Sequence, residues 1–121
     1  NEVNNWLDFK KVSEKKREGY KENIETLADF ISDGVLSLQE NVFTQQLNFA
    51  VGDGGTITKL EYKPRLNMKV VNEQLQGVKA TDADGRIVAY IAALTGQPKN
   101  IVKLLDTEDY AVAQAIALFF V

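Results

Sequence analysis

Two sets of carboxylates, Asp82/Asp84 and Asp106/Glu108/Asp109, are the groups in this chain whose type and spacing could support acid–base or metal chemistry. Paired-carboxylate catalysis needs two acids facing each other across a cleft, with environments that push their pKa values apart. Both sets instead sit where helix starts favour acids, so their expected work is to cap free amides and to complement a helix dipole. The string Asp82-Ala83-Asp84-Gly85 has the look of a calcium loop. With Gly85 at the sixth position of an EF-hand, however, Ala80 would be first and Ile91 twelfth, where Asp and Glu are required. The glycines of Gly52-Asp53-Gly54-Gly55 lack the following Gly-Lys-Ser/Thr of a phosphate loop, and a hairpin turn accounts for them.

The chain has no histidine and no cysteine. That removes the commonest general base, the usual zinc ligands, disulfides and the usual nucleophile–base pairs. The expectation is a protein that is not an enzyme and carries no cofactor and no metal. A formal charge of -3 argues against nucleic acid or an anionic membrane as partner. No run of 18 apolar residues suggests a membrane span, and the expected location is the cytoplasm, with the missing initiator Met implying trimming.

The elements follow from periodicity. At 121 residues, 45% hydrophobic, with two prolines, the chain has the composition of one globular domain. Residues 4 to about 32 read as one helix, with Tyr20, Ile24, Leu27 and Ile31 recurring at helical spacing and Gly34 as the stop. Trp6, Leu7 and Phe9 form a separate apolar knot at its start. Lys10, Lys11, Lys15, Lys16 and Arg17, interleaved with or followed by Glu14, Glu18 and Glu22, read as a solvated, salt-bridged face. Leu47, Phe49 and Val51 alternate before the glycine turn, and Thr56 to Lys63 returns, which is a hairpin. Leu66, Met68 and Val70 suggest a third short strand, and 74–80 a connection. Three short helices then follow: one with Thr81 and Asp84 as capping box, an Ile87/Ile91/Leu94 stripe and Gly96 as stop; one started by Pro98; and one capped by Thr107. The predicted class is α+β: an N-terminal helical extension over 1–40, then an α+β domain over 41–121 built from a hairpin or three-stranded meander and three helices.

The segment from Tyr110 to Val121 holds one polar side chain, Gln114. A helix apolar all round is buried in its own domain or offered to a partner. The residues assigned to such a contact are Ile87, Ile91, Tyr110, Ile116, Phe119 and Phe120, which are equally suited to core packing. Stacking of the aromatics on bases is disfavoured, because almost no basic residue lies among them.

Residues 43–121 resemble the phage tail assembly chaperones in the order of their parts. The hairpin strand Ile57-Thr58-Lys59-Leu60-Glu61-Tyr62-Lys63-Pro64-Arg65 is followed by Ile91-Ala92-Ala93-Leu94-Thr95-Gly96-Gln97-Pro98, Ile101-Val102-Lys103-Leu104-Leu105, Asp106 to Tyr110, and an aromatic-tipped end, Ala115 to Val121. The long N-terminal helix departs from the short start of that family. The resemblance implies a non-enzymatic protein that coats the hydrophobic, helical tape measure protein and recruits tail tube protein around it, with a longer form made by frameshifting. A homo-oligomer is also open, as are a structural tail component and a small helical interaction module.

Overall fold

Twelve residues of mostly polar sequence, Lys10 to Lys21, decide how the chain begins. The computed structural model describes residues 2–121, and the helix expected over 4–32 is divided there into α1 (Glu2–Phe9), α2 (Glu14–Gly19) and α3 (Lys21–Ser32). Lys11 takes a left-handed φ of 60° between α1 and α2. Ser13 then restarts the helix by accepting from the Lys16 N–H at 3.3 Å. The reason for the break is energetic: α2 buries no residue, and a helix this short without an apolar face gains nothing from continuing its neighbour. Gly34, at φ 80°, follows α3 and turns the chain.

Strands β1 (Leu36–Gln39), β2 (Val42–Val51) and β3 (Ile57–Tyr62) form an antiparallel meander in that order. Glu40 and Asn41, both at positive φ (51° and 66°), make the two-residue turn that matches strand twist between β1 and β2. Gly52 to Gly55 connect β2 and β3 as expected, with a short 3-10 turn over Asp53–Gly55. Register places Leu38, Phe43 and Tyr62 in one row across the sheet and Leu36, Gln45 and Leu60 in the next. These rows face the helices. The intervening row Ser37, Thr44 and Glu61 faces out.

The third strand was expected at residues 66–70, but that segment enters α4 (Met68–Leu75), and β1 supplies the strand instead. Asn67 decides the outcome by accepting from the Val70 N–H at 3.0 Å, a helix cap that three alternating apolar residues do not reveal. The connection expected over 74–80 lies two residues later, over 76–82. Helices α5 (Ala83–Thr95), α6 (Lys99–Val102) and α7 (Thr107–Ala117) match the three expected, with Gly96 at φ 72° ending α5. The caps differ by one residue: Asp82 replaces Thr81, accepting from Gly85 N–H at 2.9 Å, and Asp106 replaces Thr107, accepting from Glu108 N–H at 3.0 Å.

One cluster of buried side chains runs from Val3 in α1 through the sheet to Phe119. Trp6 and Leu7 belong to it and do not form a separate knot, while Phe9 is exposed. The class is α+β, helices at both ends and strands between. No described helix is long and apolar enough to cross a membrane.

Candidate functional site

The C-terminal segment is where the chain's apolar character is greatest, and its local structure sorts that character onto two sides. Beyond α7 the chain keeps turning: Phe119 N–H donates to Ile116 O at 3.2 Å, and Phe120 N–H to Ala117 O at 2.9 Å. Val112, Ala113, Ile116, Ala117 and Phe119 point into the core. Leu118 is 37% exposed and Val121 50%. These two are three residues apart in a helical turn and therefore neighbours on one surface.

Aromatic contacts fix the inner side. The Trp6 ring meets Phe43 edge-on at 4.8 Å, Phe119 at 5.4 Å and Phe120 at 5.9 Å, and Tyr20 lies 4.7 Å from Phe119. Edge-to-face pairs of this type add about 1 kcal/mol each beyond burial. Lys10 Nζ sits 3.5 Å from the Phe120 ring centroid. Its amine is lowered to about 8, by burial first and by the nearby Arg65 guanidinium second. The ring face favours the ammonium, and these two effects outweigh it.

A polar chain ties the same helix to the sheet. Asp109, buried in the first turn of α7, accepts from Asn48 N–H at 2.9 Å and from Phe49 N–H at 3.1 Å. Its carbonyl accepts from Gln45 Nε2 at 2.9 Å, and Tyr62 OH donates to Gln45 Oε1 at 2.5 Å. Burial and, secondarily, the Asp109 charge push the Tyr62 phenol up from its ordinary value. Tyr110 is also raised, first by burial and then by Asp84.

Chemically this chain is a strut. Asp109 was read as a dipole partner at a helix start, but both its oxygens are spent on β2 amides. Asp82 and Asp106 are caps. Among the described residues no group of three or more acids is placed to hold a metal ion.

Of the six residues expected to touch a partner, Ile87, Ile91, Ile116 and Phe119 are buried in the chain's own core, and Tyr110 and Phe120 are half-buried against it. Phe119 and Phe120 are brought together on Trp6; Ile87, Ile91 and Ile116 join the same cluster. Sequence reasoning missed the exposed pair Leu118 and Val121, which helical spacing within the apolar tail separates from Phe119. It also missed Gln45, the polar residue at an inward position of the alternation Phe43, Gln45, Leu47, which is the signal that marks a buried polar group. Comparison of the chain with models of protein families, with curated proteins and with solved structures yields no match.

Proposed function

We propose that this chain is a non-enzymatic assembly chaperone of the phage tail type, covering the apolar stripes of a long helical tape measure protein while tail tube protein assembles around it. The observation that carries the reading is the two-sided C-terminal turn, which keeps Leu118 and Val121 in water while Ala117 and Phe119 are packed inside. A helical client with repeated apolar stripes needs such a ready-made apolar contact. Burying these two half-exposed side chains contributes roughly 2–4 kcal/mol. That is at or below the cost of association, about 4 kcal/mol or more. A single copy therefore binds weakly, and many copies along one client hold it through high local concentration. Weak individual contacts also permit displacement as the tube grows.

Coexpression with a tape measure protein tests this. The wild-type chain is expected to keep the client in the soluble fraction, and Leu118→Ser with Val121→Ser to lower the soluble amount about tenfold, with Tm within a few degrees of wild type. Phe119→Ser is expected to unfold the chain, since it removes a buried aromatic. A wild-type chain that leaves the client insoluble, or a double variant that solubilises as well as wild type, overturns the reading.

A further inference from the structure

The charges around α2 are sorted. Glu14 and Glu18 line one depression together with Arg17 and Lys21. Lys10, Lys11 and Lys16 line another, of about 280 Å³, with Ser13, Tyr20 and the buried edge of Phe119, and no acid lines it. The solvated face expected of this stretch forms, and among the described residues its ion pairing is limited to Arg17. Among the described residues Arg17 pairs with Asp8 at 2.6 Å and Lys59 with Glu61 at 3.5 Å, and none of the three pocket lysines has a carboxylate within ion-pair distance.

Three further observations bear on this pocket. A chain of net charge -3 repels anions on average, so a local excess of cations is a property of the site and not of the whole molecule. Lys11 holds a left-handed φ of 60° where glycine would sit without strain. That conformation closes α1, with Lys11 N–H donating to Asp8 O at 3.0 Å and Val12 N–H to Leu7 O at 3.1 Å, and the helix end puts a lysine where glycine is the usual choice. The Lys10 amine is lowered first by burial and second by the Arg65 guanidinium, so a further cation, outside the pocket lining, acts on this cluster.

We infer that the pocket formed by Lys10, Lys11 and Lys16 binds a small polyvalent phosphate, with the ammonium groups and the Ser13 hydroxyl as donors. Lysine serves phosphate as a compact charge with three N–H groups. The volume holds one or two phosphoryl groups with their water and falls short of the 300–1,000 Å³ typical of larger organic ligands. The inference is independent of the client reading, since neither Leu118 nor Val121 lines this pocket.

Titration with inorganic diphosphate at about 20 mM salt, followed by calorimetry and amide NMR, tests it, with sodium chloride at equal ionic strength as blank. Submillimolar binding is expected, with shifts confined to residues 10–20 and 119–120. Lys16→Gln is expected to weaken it by about tenfold; Lys15→Gln, which does not line the pocket, should leave it unchanged. Lys11→Gly should raise Tm while weakening binding, which separates this role from a structural one. Acylation of the Lys10 amine at pH 8 should slow when diphosphate is added. ADP binding as tightly as diphosphate places recognition on the phosphoryl groups alone; tighter ADP binding adds the Tyr20–Phe119 floor. No binding by wild type, or equal loss in Lys15→Gln and Lys16→Gln, overturns the inference.

Discussion

Tyr62 shows at the scale of one side chain how a buried hydroxyl links stability to pH. Its OH donates to Gln45, and an ionised phenol has nothing to donate. Its folded pKa lies above the ordinary 10 because burial and, less strongly, Asp109 disfavour the charged form. A group raised in this sense gives stability that is whole below pH 10 and is lost as pH climbs beyond it, because only the unfolded chain releases the proton there. Lys10 works with the opposite sign. Lowered from 10.5 to about 8, it makes stability rise with pH between those values. Urea titrations from pH 7 to 11 are therefore expected to show stability climbing above pH 8 and falling above pH 10. Tyr62→Phe should cost about 1–2 kcal/mol at pH 7 through the unpaired Gln45 oxygen, yet fall less steeply above pH 10. Tyr110, also raised, leaves it a residual slope. Equal alkaline slopes in the two proteins would rule out this assignment.

At the scale of elements, the Asp109 side chain ties α7 to the sheet, its two oxygens bonding two successive β2 amides beside the bond from Gln45 to its carbonyl. Asp109→Ala leaves those amides without their acceptor, and hydrogen bonds to a charged group are worth about 1.5–3 kcal/mol. The variant is expected to lose about 3 kcal/mol in urea unfolding, with the largest rise in hydrogen exchange at Asn48, Phe49 and the start of α7. A loss under 1 kcal/mol would mean that water replaces the carboxylate. Which elements form was legible wherever a punctuating residue coincided with a change of period: Gly96 and Pro98 separate α5 from α6, and the glycines of 52–55 close the hairpin. It was not legible where two periods fit the same few residues. Leu66, Met68 and Val70 satisfy alternation, and only Asn67 as a cap separates helix from strand. The break in the N-terminal helix rests on Ser13 as cap and on a left-handed Lys11, and backbone sign at lysine leaves no trace in a sequence. Residue type placed Asp109 at a helix start correctly; that the strand passes beside it is a long-range fact no local pattern carries.

For the whole molecule, the decisive contact is between its two ends. Trp6, the sole tryptophan, packs on Phe119 and Phe120 as well as on Phe43 of β2, so its fluorescence reports the joint between the first helix and the last. With one buried cluster shared by all these elements, unfolding by urea is expected to give the same midpoint by Trp6 fluorescence and by far-UV circular dichroism. A fluorescence transition at lower urea would show residues 1–40 loosening on their own. The same contact sets a condition on synthesis. A ribosome adds about 5–20 residues per second, so on the order of ten seconds separate the emergence of Trp6 from that of its partner Phe119. Through that interval Trp6 has Phe43 but lacks Phe119 and Phe120, and the apolar side of α1 stays incompletely covered. Until Phe119 emerges, the nascent chain is thus exposed to the very hazard that, on the reading proposed above, it relieves in another protein.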